Sequence, residues 1–356
     1  MDTPVLDMKH RDYDNLLSRA RLLSWKKFGK RIVFYLPGMI RYGRDIGRYP
    51  AISITGDRCF LSCDHCNSKI LKPMIYATTP EEFIRRCLIL ARNGFIGCLV
   101  SGGSSSKGKL PWGKFFKAIE KVKNQTELKI SVHTGLLDRK CARRLKEVGV
   151  DQALIDVVGD ENTLREVCHL DITPNAITQS LEALSEAKIP IVPHIVVGLH
   201  YGKIKGEFRA LQMIKPYTPA TLVIVSLMPL PDTPMEKVQP PLPQEVARVI
   251  ATARIMMPET LMSLGCARPR NNLGEQMELL ALEAGVNRMA LQCQTTVKRA
   301  QMYGLEIRWQ KTCCSVDSWV KRQPPGSSLP KEGVRGPDRR DTPLWRHHGR
   351  ARQQEN

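Results

Sequence analysis

Short apolar runs alternate along most of the chain with longer segments in which apolar side chains recur every three or four positions, the first a strand signature and the second a helical one. Residues 51–55 form the first run. Thr79-Pro80-Glu81-Glu82 then supplies a helix start: a capping threonine, a proline whose missing N–H is harmless at the first helical position, and a glutamate able to reach back to the cap. The helix it opens is expected to end near residue 93. The pattern recurs at 98–101 with a helix from about 112, at 129–133 with 138–148, at 153–157 with 163–168 and 175–187, and at 191–197 with 207–214. It continues at 222–227 with 244–256, at 261–264 with 273–284, and at 288–291 with 295–302. Eight strand–helix units imply a parallel sheet joined by right-handed crossovers, hence an α/β fold of the (βα)8 TIM-barrel type with its functional face at the C-terminal ends of the strands.

The flanks differ in composition. Residues 1–48 are basic, with Leu16, Leu17, Leu22, Leu23 and Phe28 near helical spacing, and read as a helical N-terminal extension that packs on the barrel or touches a membrane surface. The repeating units occupy 49–308, and residues 309–321 form a segment bearing the adjacent pair Cys313-Cys314. From 322 to 356, Pro-Pro-Gly-Ser-Ser and repeated arginines show no apolar period, and a disordered tail is expected. A chain of 356 residues, 42% hydrophobic and 25% charged, can bury a large core. No run approaches the roughly 20 apolar residues that span a bilayer. Asp2, Asp7, Lys9, Arg11 and Asp12 interrupt any signal-peptide core, so a cytoplasmic protein is expected. The formal charge of +19 calls for an acidic partner, yet no nucleic-acid motif or aromatic platform accompanies it, and no nucleic-acid module is expected.

Metal chemistry enters directly after the first strand, at Cys59-Phe60-Leu61-Ser62-Cys63-Asp64-His65-Cys66. Three cysteines spaced C-x3-C-x2-C suit a four-iron four-sulfur cluster that keeps one iron open for a further ligand. A structural zinc site would want four ligands, usually in paired halves, and a disulfide framework does not suit a chain read as cytoplasmic. The motif resembles that of the radical S-adenosylmethionine (SAM) superfamily, with His65 where members carry an aromatic residue or histidine before the last cysteine. The resemblance implies a cluster held by Cys59, Cys63 and Cys66, SAM chelated on the open iron, a reducing electron donor, and cleavage of SAM to a 5′-deoxyadenosyl radical.

By the same resemblance Gly102 and Gly103, ending the second strand, offer close backbone approach to SAM. His65, His133 on the third strand, Asp156 late in the fourth and Gly198 after the fifth complete the expected cofactor-binding set, with His194 on the same rim. No catalytic acid or base is singled out. The stretch 228–235 resembles a Gly-Thr-Pro loop of biotin-synthase-like enzymes, with Asp232 in the glycine place, and 268–287 resembles their late-barrel signature. Where biotin synthase holds a second, sacrificial cluster on barrel cysteines, this chain has Val132-His133 and Pro193-His194. Cys266, Cys313 and Cys314, with Cys98 a weaker candidate, remain for an auxiliary iron–sulfur cluster.

Together these stretches resemble the archaeal-type two-protein lipoyl synthases. That likeness implies sulfur insertion into an octanoyl chain on an acidic lipoyl carrier domain, jointly with a second radical SAM protein. The alternatives are a single-cluster mutase or lyase of the hydrogenase-maturation or methylornithine type, and a cluster-bearing partner subunit without turnover.

Overall fold

Residues 10–42 and 45–316 are described in the computed structural model; the expected disordered tail at 322–356 lies outside them. The strands are β1 (Arg31–Tyr35), a ribbon of β2 (Arg41–Tyr42) and β3 (Asp45–Ile46), β4 (Ala51–Ser53), β5 (Ile75–Tyr76), β6 (Gly97–Ser101), β7 (Lys129–His133) and β8 (Gln152–Asp156). They continue with β9 (Ile191–Val197), β10 (Thr221–Ser226), β11 (Leu261–Leu264), β12 (Arg288–Ala290) and β13 (Glu306–Gln310). Eleven of them form one sheet in the order β13-β1-β12-β11-β10-β9-β8-β7-β6-β4-β5, and its pairings, such as β9 with β10 and β8 with β9, are parallel. β4 and β6 to β12 are the eight strands the hydrophobic pattern predicts.

Three further strands lie at the ends of this run. β5 pairs outside β4, while β1, from the segment read as an extension, lies between β12 and β13. Among the described residues the sheet is therefore open, ending at β13 and β5, rather than closed on eight strands. It curls nonetheless. Tyr35 of β1, Leu154 of β8, Val192 of β9, Val223 and Val225 of β10 and Ala290 of β12 meet in one interior cluster. The opposite faces of these strands pack on the helices.

The helix Pro80–Arg92 begins as expected, with the Thr79 hydroxyl accepting the Glu82 N–H at 3.2 Å. The Glu82 carboxylate accepts from the Thr78 N–H at 2.9 Å instead of from the cap's own. The helix His10–Phe28 buries Tyr13, Leu17, Ala20 and Ser24 and packs against the helix Pro243–Met256. Its backbone comes so near Gly285 that a Cβ there would meet Arg21 Cα at 2.8 Å, so the buried stripe of this basic segment faces protein. No helix among the described residues is long and apolar enough to cross a membrane.

After β13 the chain turns inward. Lys311 pairs with Asp45 and its carbonyl accepts the Arg48 N–H at 2.7 Å. Thr312, Cys314, Ser315 and Val316 are buried, and Cys314 belongs to the interior cluster of the curled sheet.

Candidate active site

The cysteine loop leaves β4 and crosses the C-terminal ends of β4 and β6. Its seat is a close approach that only glycine permits: a Cβ on Gly103 would lie 2.0 Å from the Arg58 carbonyl oxygen and 2.5 Å from Cys59 Cα. The Gly103 N–H donates to Thr55 Oγ1 at 2.6 Å, and the Phe60 N–H to the Ser104 carbonyl at 2.8 Å. Ser62 and Asn67, flanking the last two cysteines, take left-handed φ of 45° and 41°, a local strain typical of functional loops.

Further along, the loop is tied to the segments that follow β8, β9 and β10. Asp64, between Cys63 and His65, accepts from His169 Nε2 at 2.9 Å and from the Tyr201 hydroxyl at 2.6 Å, and its N–H donates to the Val167 carbonyl at 2.9 Å. Lys69 pairs with Asp232 at 2.6 Å. Asp232 has φ +53°, so an aspartate adopts the left-handed backbone that suits the glycine of the Gly-Thr-Pro loop.

One cavity of about 210 Å³ is lined by Cys59, Cys63, His65 and Cys66, by Gly102 and Gly103, and by His133, Asp156 and His194. Leu164, Leu170, Ile172, Ile177, Val196 and Leu199 add an apolar wall. Gly198 lies just outside this lining. Its N–H is taken by Glu207 Oε1 at 2.8 Å, and a Cβ there would strike Pro241 at 2.7 Å, so it shapes the loop after β9. Cys168 also lines the cavity and accepts through its carbonyl from the Cys63 thiol at 3.4 Å.

The polar centre is Asp156, whose carboxylate lies 3.2 Å from His133 Nε2. Asp156 is accessible to the cavity yet hemmed in by protein. That burial would raise its pKa, but His133, His194 and His65 outweigh it and hold the carboxyl well below its usual range. For His133, burial is likewise opposed and overcome by Asp156, so its pKa is raised. The His194 ring lies 5.8 Å from that of His133, tilted by 42°, and donates through Nδ1 to the Val192 carbonyl at 3.1 Å. Burial and the neighbouring His133 push it down to about 4, leaving it neutral. The cavity thus holds an ionised carboxylate, an imidazole whose protonated form that carboxylate favours, and a neutral imidazole.

These residues suit an iron–sulfur cluster. Cys63 and Cys66 are buried and Cys59 is half-exposed. The neighbouring Cys63 thiol and then burial push Cys66 up to about 12. Such thiols ionise readily only when metal replaces their protons. His65 Nδ1, buried beside them, has no hydrogen-bond partner. Among the described residues no three Cys, His, Asp or Glu side chains converge as a single ion requires, which a cluster does not demand, because its thiolates bind separate irons.

The other cysteines divide. Cys98 packs against Cys87 in the helix-facing core, away from the interior. Cys313 and Cys314 lie inside the curl, where the adjoining Cys314 thiol holds Cys313 below the usual thiol range while Cys314 is raised. The charge of Cys313 also reaches His133 and Cys266. Cys266 is accessible just past the end of β11, beside Ala267, which packs on the same interior cluster as Cys313 and Cys314. Arg268, from the late-barrel signature, is buried and pairs with Glu278 at 2.7 Å while donating to the Ala290 carbonyl at 2.8 Å; it braces β12.

A curled parallel sheet that carries this cysteine loop at the C-terminal end of its first central strand defines the radical SAM class. The profile described as Radical SAM superfamily matches residues 53–204, and that described as Biotin and Thiamin Synthesis associated domain matches 223–308. Residues 53–204 are thus a radical SAM domain and residues 223–308 the associated domain of its biotin-synthase-like branch, whose cofactors are a 4Fe-4S cluster and SAM. It is 30% identical over 177 residues to a biotin synthase of Vesicomyosocius okutanii subsp. Calyptogena okutanii (49% of this chain, 53% of that protein). It is 28% identical over 165 residues to one of Halorhodospira halophila (46% and 50%). The chain thus spans about half the length of these curated relatives. In fold it is similar to methylornithine synthase PylB, with TM-score 0.59, 17% identity and 84% and 90% of the two chains covered. The hydrogenase maturase HydG gives TM-score 0.62, 15% identity and 85% and 70% coverage.

Proposed function

We propose that this protein is a radical SAM sulfurtransferase that inserts sulfur at an unactivated C–H position of an octanoyl chain presented by an acidic lipoyl carrier domain, in concert with a second radical SAM protein. A bound 4Fe-4S cluster with one open iron supplies one-electron reductive cleavage of SAM, which provides the radical that such a C–H bond requires. Cys59, Cys63 and Cys66 hold that cluster. Gly102 gives SAM a close backbone edge, and Asp156, ionised at neutral pH, accepts hydrogen bonds from its hydroxyl or ammonium donors. The apolar wall from Leu164 to Leu199 receives the alkyl chain and excludes water.

The observation that carries the sulfur-transfer reading is the return of Cys313 and Cys314 into the sheet interior, in the cluster that also takes in Ala267, the residue after Cys266. Cys313, Cys314 and Cys266 are the proposed ligands of an auxiliary cluster that donates the sulfur. The test is anaerobic reconstitution with SAM, dithionite and an octanoylated carrier peptide, followed by mass spectrometry. The expected result is a mass gain from sulfur and about eight irons per chain, falling to about four in Cys313→Ser/Cys314→Ser, which still forms 5′-deoxyadenosine but adds no sulfur. Absence of any mass gain, or about four irons in the unaltered chain, rejects the proposal; the second outcome instead fits a single-cluster mutase or lyase.

A further inference from the structure

Behind the cysteine loop, outside the inner cavity, three polar side chains meet. Asp64 stands between Cys63 and His65, and its carboxylate accepts from His169 Nε2 at 2.9 Å and from the Tyr201 hydroxyl at 2.6 Å. None of the three lines the cavity, although Cys63, Cys168 and Leu170 beside them do. The Asp64 N–H donates to the Val167 carbonyl at 2.9 Å, which fixes the carboxylate next to Cys63. Its side chain is 15% exposed, so the two donors stand in for much of the water that a free carboxylate would hold. Both come from unfavourable backbone: His169 and Tyr201 take left-handed φ of 55° and 50°, an uncommon region for residues other than glycine. Two such positions, on the segments after β8 and β9, converge on one carboxylate, and strain of this kind clusters where residues are held for function.

We propose that His169 and Tyr201 are positioning residues for the reducing cluster: by holding the Asp64 carboxylate beside Cys63 and hydrogen-bonding it, they raise the cluster's reduction potential above what that bare charge would allow. The inference rests on the cluster at Cys59, Cys63 and Cys66 and not on the octanoyl substrate. Reduction adds one electron, and hence one negative charge, to the cluster; no bond is made or broken. A fixed carboxylate one residue from a ligand opposes that added charge, and net charge and nearby hydrogen bonds are what set such potentials. The positive ends of the two donor bonds offset part of the carboxylate's field. Removing a donor therefore makes reduction harder, whereas removing the charge on Asp64 makes it easier.

The test uses the full chain with its cluster reconstituted anaerobically and no substrate present. The reduced cluster is followed by EPR across a range of applied potentials, its signal identified as the one that SAM alters. In Tyr201→Phe, which keeps the ring's edge contact with His200, the ratio of reduced to oxidised cluster at the unaltered chain's midpoint should fall at least about threefold, roughly 30 mV for one electron. His169→Ala should move the same way. Asp64→Asn should raise that ratio at least about threefold, and Asp64→Asn/Tyr201→Phe should stay close to Asp64→Asn. Shifts of one sign in Tyr201→Phe and Asp64→Asn overturn the proposal, because mere loosening of the loop would move both alike. So does an unchanged midpoint in Tyr201→Phe. Iron is assayed in every variant, and loss of cluster iron from Tyr201→Phe or Asp64→Asn would show that the three residues retain the cluster rather than tune it, which also overturns the proposal. Absence of sulfur insertion leaves these potentials readable, so the two proposals fail separately.

Discussion

At the scale of single residues, the site is decided by contacts that tolerate no extra atom and by charges that hold one another. Gly103 is the first kind. Its missing Cβ leaves room for the Arg58 carbonyl at 2.0 Å, so Gly103→Ala must push the cysteine loop outward. Such overpacking costs about 1–3 kcal/mol; the expected outcome is a thermal midpoint lower by several degrees and reduced iron uptake on reconstitution, measured by calorimetry and iron assay. The His133–Asp156 pair is the second kind. A raised His133 contributes stability that is complete below its unfolded value and lost as pH rises through the folded one. A depressed Asp156 contributes above its unfolded value and loses that contribution as pH falls. The pair is therefore fully formed between roughly pH 4 and 6.5. Asp156→Asn removes the partner and leaves burial, so His133 should titrate below its ordinary value in an NMR titration of its ring protons; an unchanged midpoint would contradict this. The cysteines and His65, in the loop after β4, the two glycines just past β6, and His133 and Asp156, the last residues of β7 and β8, were all legible as rim positions from where the predicted strands end. The bond from Tyr201 to Asp64, spanning 137 positions, was not, because no local pattern marks a contact between two loops.

Among the elements, the strands that the sequence makes plain are those buried on both faces. Ile191–Val197 and Thr221–Ser226 are nearly continuous apolar, β-branched runs, as parallel strands covered by helices require. β1 has the same character, Arg-Ile-Val-Phe-Tyr, but it follows a basic helix and precedes the first strand–helix unit, so its neighbours in sequence say nothing of its place between β12 and β13. Only pairing with residues 288–290 and 306–310, far along the chain, makes it part of the sheet. β5, two residues long, falls below any periodicity. Trp112–Lys114 proves a 3₁₀ turn ahead of the helix Phe116–Gln125; Pro111 before it and Gly113 within it weaken an α-helical start. Cys98 and Cys313 show the same limit: alternation along β6 turns Cys98 toward the helices, while Cys313 reaches the interior through a turn with no periodicity to read.

For the whole molecule, the open curl raises the question of what fills it. An eight-strand barrel packs its lumen with its own side chains, whereas here residues 312–316 are laid into the interior like a plug. Cys314 sits among Leu154, Val192, Val223, Val225 and Ala290, and the Ser315 hydroxyl accepts from Gln152 Nε2 at 3.2 Å. The Val316 carbonyl receives the Tyr35 hydroxyl at 3.4 Å and Arg288 at 3.4 Å. Removing these few residues takes apolar cover from five strands and carbonyl partners from buried Arg288, losses that a cavity and desolvated polar groups price at about 3–5 kcal/mol together. A chain ending at Lys311 should therefore melt well below one ending at Val316, both prepared without iron so that metal binding does not enter the comparison. Cys313→Ser/Cys314→Ser in the longer chain keeps the backbone carbonyls and most of the volume, and should lose no more than about a third of that stability. If the shorter chain melted with the longer one, the segment would be a passenger on a self-sufficient sheet. If the double serine variant fell as far as the truncation, the thiols rather than the plug would hold the interior together.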